Sequence, residues 1–251
     1  MVKSQPPVRV LAGDESRLGA LLEQHLASRS ARHDAVPEIR TAHPPLQAVL
    51  ALATRAAASN AALLIQGEPG TGKAALARAL HLVSTRAAGP FVEITADTVA
   101  PARQAAVLFG MERGANGFAS AGLVEQSAGG TLFISEVTQL DSAVQSTLGN
   151  AVRSAWFKRV GASRKLNLET RLIAASSVNL AREARAGRVR AELVAALSDV
   201  VISLPPLRDR AVDIPALAEG FLGEFRGPIA AGLSADALEA LTRYHWPGNL
   251  Q

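Results

Sequence analysis

The chain of 251 residues contains no cysteine. That absence excludes disulfides, thiolate catalysis and cysteine-bound zinc together. The five histidines show no ligand spacing such as HExxH, so no protein-held metal is expected. Any metal would be magnesium carried by a nucleotide. No apolar run approaches the roughly 18 residues a membrane helix needs, and Met1 to Pro7 lacks the charged-then-apolar order of a signal peptide. A cytoplasmic protein with no membrane partner is therefore expected. Lysine is scarce too, limited to Lys3, Lys73, Lys158 and Lys165, so the formal charge of +4 arises almost wholly from arginine. The arginines read as spread along the chain, a pattern that permits nucleic-acid contact but is first of all a solvated basic surface. Internal repeats and low-complexity tracts are absent.

What the chain does have is apolar residues, 48% of the total, enough to fill a core. From Val8 to Leu26 the pattern reads as a short strand, a turn and a helix with Leu18, Leu21, Leu22 and Leu26 on one face. Ala27 to Pro37 is polar and unpatterned, a linker that places the main domain boundary near residue 38. A helix over Pro45 to Ala58 leads into the strand Ala61 to Gln66. Strands then follow at Phe91 to Thr95, Thr131 to Ser135, Thr170 to Ser176 and Val200 to Leu204. Between them lie helical patterns at Lys73 to Val83, Pro101 to Phe109, Asp141 to Ala155 and Arg190 to Leu197. Such alternation predicts an α/β fold, a parallel sheet sandwiched by helices over residues 38–210. Residues 211–251 carry only helical patterns, Ala216 to Phe225 and Ala235 to Tyr244, and predict a small helical lid. Residues 1–37 form a separate segment.

The strongest local signal is Gly67, Glu68, Pro69, Gly70, Thr71, Gly72 and Lys73, set between a strand and a helix as a phosphate-binding loop requires. Glycines let the backbone turn its N–H groups toward phosphate, the helix N-terminus adds a favourable dipole, and the Lys73 ammonium reaches the β and γ phosphates. ATP is the implied ligand. Ala74 stands where such loops usually carry a magnesium-touching hydroxyl, so metal is expected to bind weakly if at all.

Further stretches extend the pattern: Gly129 to Glu136 (GGTLFISE), Phe157 to Gly161 (FKRVG), Leu204 to Arg210 (LPPLRDR) with Asp213 and Ile214, and Trp246 to Asn249 (WPGN). In order and spacing the set resembles the AAA+ module of NtrC-like sigma-54 activators, from about His43 to Gln251. The resemblance implies a P-loop NTPase fold, a homo- or hetero-oligomeric ring, ATP between subunits, and sigma-54 RNA polymerase or a related activator subunit as partner. It implies that Glu136 is the carboxylate that polarises the attacking water and that Arg190 is an arginine acting across subunits.

Several positions depart from the family pattern. Ser135 replaces the aspartate that supports magnesium, Ala196 a second trans-acting arginine, and Thr95 an asparagine that steers the glutamate. Gln251 stands where a sensor arginine is expected shortly after WPGN. The contact motif GAFTGA aligns with Gly114 to Ala119 (GANGFA), in a shortened loop whose aromatic is Phe118. Asp14 and Glu15 resemble the acidic pair of a receiver domain, of which residues 1–37 would be a remnant. The sequence also shows a partial lid and no recognisable DNA reader. The expectation is thus an ATP-binding regulator impaired in hydrolysis and in polymerase contact. A working ATPase and a non-functional fragment are the alternatives.

Overall fold

In the computed structural model the described residues are 41–112, 119–225 and 232–251. The expected elements between Val8 and Leu26, Asp14 and Glu15, and Gly114 to Phe118 lie outside them. The described stretches belong to one compact unit, Pro37–Gln251.

The chain order is α1 (Pro44–Ala57), β1 (Leu63–Gln66), α2 (Lys73–Leu82), β2 (Phe91–Thr95), α3 (Pro101–Phe109), α4 (Leu123–Gln126) and β3 (Thr131–Ser135). It continues with α5 (Ser142–Ser154), β4 (Trp156–Phe157), β5 (Leu166–Asn167), β6 (Arg171–Ser176), α6 (Leu180–Arg185), α7 (Ala191–Leu197) and β7 (Val200–Ser203). A 3-10 stretch, Leu207–Asp213, then leads into α8 (Ile214–Phe225) and α9 (Ala235–Arg243). Five strands form one parallel sheet in the order β2-β3-β6-β1-β7, and β4 pairs with β5 as a short antiparallel ribbon.

The central strands are buried on both faces, which is why β3 and β6 read as continuous apolar runs rather than alternating ones. Successive side chains still point to opposite sides. Leu132, Ile134, Leu172 and Ala174 face a layer containing Leu148 of α5 and Leu193 and Leu197 of α7. Phe133, Ile173 and Ala175 face Leu46 of α1 and Leu76 and Leu80 of α2. Gly149 lets α5 and α7 touch, since a Cβ there would lie 2.5 Å from the Glu192 backbone.

One buried cation links the layers. Arg171, 1% exposed at the start of β6, donates from Nη1 to Ala57 O at 3.1 Å and from Nη2 to Ala56 O at 2.9 Å, capping α1. Its Nε donates to Ala61 O at 3.3 Å, which fixes the approach to β1. Burial away from carboxylates lowers the Arg171 pKa, and Arg86 adds to the effect.

The sequence pattern placed all five sheet strands, with Phe91–Thr95 and Thr131–Ser135 at their observed bounds. It did not reveal α4, α6 or the β4–β5 ribbon, elements of two to six residues that are too short to display a period.

Candidate nucleotide-binding site

The site lies where parallel strands end. Gly67–Gly72 leaves the C-terminal end of β1 and enters α2, while Glu136 follows β3 and Ser177 follows β6, the strand between them. In an open α/β sheet this carboxyl edge is where ligand clefts form.

Two glycines of the loop are required by conformation. Gly70 and Gly72 have φ of 76° and 98°, and a Cβ on Gly70 would sit 2.1 Å from Gly248 O. Gly72 gives α2 no side-chain cap, so the first-turn N–H groups of this ten-residue helix are left for an external acceptor. Inside the loop, Glu68 O accepts from Thr71 N at 3.3 Å, Thr71 Oγ1 at 2.8 Å and Lys73 Nζ at 3.1 Å. Lys73 Nζ also donates to Gly67 O at 2.7 Å and Ser177 Oγ at 2.9 Å. Burial depresses the Lys73 pKa, and Glu136 partly restores it. Ala74 is exposed on the first turn.

Glu136 adopts φ 52°, a left-handed conformation that costs a non-glycine residue about 1 kcal/mol. Its carboxylate is fixed from one side. Oε1 accepts from the Ser177 hydroxyl at 2.5 Å, Oε2 accepts from Ser177 N at 3.0 Å, and Oε1 lies 3.6 Å from Lys73 Nζ. Thr95 sits at the end of β2, in register with Ser135. Among the described residues the hydrogen bonds that orient Glu136 come from Ser177 and not from Thr95.

The structure therefore brings Gly67 to Lys73 and Glu136 together. Arg190 is not part of that cluster: it precedes α7, its backbone N–H donates to Gln145 Oε1 at 2.9 Å, and its side chain is exposed. Ala196 is 4% exposed and lines a cleft of about 420 Å³ with Asn60, Arg153 and Asp199.

A clamp on the loop comes from the distant motifs LPPLRDR and WPGN. Asn249, 2% exposed at φ 55°, donates from Nδ2 to Pro69 O at 2.8 Å and accepts from Leu207 N at 2.7 Å. Leu250 N donates to Gly70 O at 2.9 Å. Arg208 grips the Glu68 carboxylate through both Nη atoms, at 2.8 and 2.5 Å, and holds its pKa down to about 2. Arg210, 5% exposed, donates to Thr71 O at 3.2 Å; burial lowers its pKa against the pull of Asp213. Asp213 in turn accepts from Thr41 Oγ1 at 2.7 Å and Ala42 N at 2.6 Å.

Sequence reasoning missed Ser177, Asn249 and Arg208 as site-shaping residues. For Ser177 the sequence showed only its place just past a strand; that this strand lies beside β3, and so brings the hydroxyl to Glu136, is a matter of strand order. Asn249 and Arg208 lie in the WPGN and LPPLRDR motifs, but no local pattern carried their docking onto the phosphate loop.

The sigma-54 interaction domain model matches residues 39–203 and the AAA+ ATPase lid domain model matches 208–251. The chain belongs to the sigma-54 interaction domain family. Its sheet, phosphate loop and helical lid are those of an AAA+ P-loop NTPase. Among relatives of this sigma-54 interaction domain is the transcriptional regulatory protein XylR of Pseudomonas putida, 38% identical over 78% of this chain and 36% of XylR. The alginate biosynthesis transcriptional regulatory protein AlgB of Pseudomonas aeruginosa is 35% identical over 97% of this chain and 58% of AlgB. The crystal structure of NtrX from Brucella abortus in complex with ADP shares 30% identity at a TM-score of 0.78, covering 94% of this chain and 53% of NtrX. The sequence thus spans about a third to three-fifths of the length of these relatives. Among the described residues no helix is long and apolar enough to cross a membrane.

Proposed function

We propose that this AAA+ module binds ATP through Gly67 to Ala74 and acts as a sigma-54-dependent transcriptional regulator that hydrolyses ATP poorly. The observation that carries the reading is the junction of the phosphate loop with Glu136. The Lys73 ammonium is within 3.6 Å of a carboxylate that Ser177 holds through two hydrogen bonds.

The residues suit a nucleoside triphosphate. Positive φ at Gly70 and Gly72, uncapped N–H groups on α2 and the Lys73 ammonium form a cradle for phosphate oxygens. Glu136 is placed to accept a proton from an attacking water, and Ser177 keeps that carboxylate in one orientation. The surroundings suit magnesium poorly. Charge developing on phosphate oxygens is ordinarily neutralised by that ion, yet Ser135 offers a neutral hydroxyl in place of a carboxylate and Ala74 offers no side-chain oxygen.

Arg190, exposed at the head of α7, is on this reading the arginine that acts across a subunit boundary, whereas Ala196 carries no charge for such a role. Sigma-54 RNA polymerase, and further copies of this or a related AAA+ chain in a ring, are the partners this reading entails. The alternatives, a fully active ATPase or a fragment without function, are separated from it by hydrolysis and by melting behaviour.

Titration with a fluorescent ATP analogue tests the binding step. Lys73→Ala is expected to weaken binding by about 1.5 to 3 kcal/mol, the worth of a hydrogen bond to a charged group. Equal affinity for both proteins would refute the assignment.

A further inference from the structure

Between Asp141 and Glu169 the sequence has no acidic residue and five cations, Arg153, Lys158, Arg159, Arg164 and Lys165. That segment alone is formally +5, against +4 for the whole chain. The fold gathers these charges around the end of α5 and the β4–β5 ribbon. There a cleft of about 710 Å³ is lined by Thr147, Asn150, Arg153, Ser154, Trp156 and Lys158 among others, none of them acidic. The run is a local exception in a chain whose arginines otherwise read as spread along it.

Four of the five cations are exposed and have no carboxylate partner among the described residues: Arg153, Lys158, Arg164 and Lys165. The fifth, Arg159, is paired with Glu125 at 2.6 Å and anchors the ribbon instead. Lys165 Nζ lies 3.9 Å from the centroid of the half-buried Trp156 ring. An indole thus stands at the cleft wall beside mobile-length cations and neutral donors.

We propose that this cleft binds a single strand of nucleic acid. A positively charged groove combined with an aromatic platform is the arrangement that grips a strand through its phosphates and a stacked base without reading sequence. Lys158, Arg153 and Lys165 meet phosphates. Trp156 takes a base on its ring, where it replaces or shares the Lys165 contact. Thr147, Asn150 and Ser154 donate to base or sugar oxygens. The concave shape favours a strand over a duplex, whose convex surface would reach only the rim.

The test is fluorescence anisotropy of the full chain with a labelled oligothymidylate of about 12 nucleotides, repeated over a salt series. Wild type should bind more tightly as salt falls. Lys158→Gln with Lys165→Gln should weaken binding and reduce the slope of log affinity against log salt by about 1.4, the loss of two phosphate contacts on a single strand. Trp156→Ala should weaken binding roughly tenfold and leave the slope unchanged. The same oligonucleotide as a duplex, and a polyglutamate peptide, should bind less well. Lys158 and Lys165 are exposed and Trp156 is half-buried, so unchanged melting of the variants is required to confirm that the fold is intact. Failure of wild type to bind the strand, equal binding by the variants, or tighter binding of duplex or peptide would overturn the assignment.

Discussion

The hydroxyl of Ser177 donates to Glu136 Oε1 at 2.5 Å, while its oxygen accepts from Lys73 Nζ at 2.9 Å. One side chain at the end of β6 thereby joins the phosphate loop to the carboxylate after β3. The sheet order makes this possible, because β6 lies between β1 and β3 and all three strands end on the same edge.

Ser177→Ala removes a hydrogen bond from each of two charged groups. Stability should fall by about 1.5 to 3 kcal/mol, measured by urea unfolding, and Ser177→Thr should recover most of it. An unchanged unfolding midpoint for Ser177→Ala would mean that the contact contributes nothing in solution.

Asn249 is the corresponding joint between the lid and the loop. Asn249→Ala leaves Leu207 N and Pro69 O without their partner and forces alanine into a left-handed conformation. The expected cost is about 1 to 3 kcal/mol by urea unfolding, together with weaker nucleotide binding. Asn249→Gly relieves the backbone alone, so it should fall between alanine and wild type. Glycine equal to wild type would show that the side-chain bonds are dispensable.

His81 gives the fold an acid sensitivity. It is 4% exposed, its Nδ1 is 2.9 Å from Thr131 Oγ1, and the Phe91 ring centroid is 5.3 Å away. Burial lowers its pKa below 6.5, Arg78 and Arg171 act in the same direction, and a bond with the Gly89 backbone opposes them. The unfolded chain therefore takes up the proton first, and stability is lost as pH falls below about 6.5. Urea midpoints at pH 7.5 and 5.5 should differ more for wild type than for His81→Gln. Equal differences would place the sensitivity elsewhere.

Ser135→Asp returns a carboxylate to the end of β3 and should raise the rate of phosphate release. Ala196→Arg is a less clean change. Ala196 is buried beside Arg153, so a larger side chain there should cost about 1 to 3 kcal/mol of stability. Any gain in turnover from the pair should also depend on protein concentration, since a trans-acting group requires assembly. A double variant less active than Ser135→Asp alone, with lowered stability, is the expected result where packing dominates.

The phosphate loop was legible in the sequence because its chemistry is local: glycines at fixed offsets, then lysine, between a strand and a helix. Strands β3 and β6 were legible for a different reason, as short apolar runs buried on both faces. Contacts made by Ser177, Asn249 and Arg208 were not, because each joins residues 41 to 180 positions apart and depends on strand order or lid docking. The basic cleft was hidden in another way. Its five cations lie close together in the sequence, between Asp141 and Glu169, but that they gather at a cleft beside Trp156 follows only from the pairing of β4 with β5 at the end of α5.

The central claim, a module that binds ATP but turns it over poorly, is tested most directly by measuring nucleotide affinity and phosphate release on one preparation over a range of protein concentrations. Saturable binding lost in Lys73→Ala, with turnover well below about 1 per second at every concentration, is the predicted result. Turnover at about 1 per second or faster would contradict the impairment, and absence of binding would contradict the site itself.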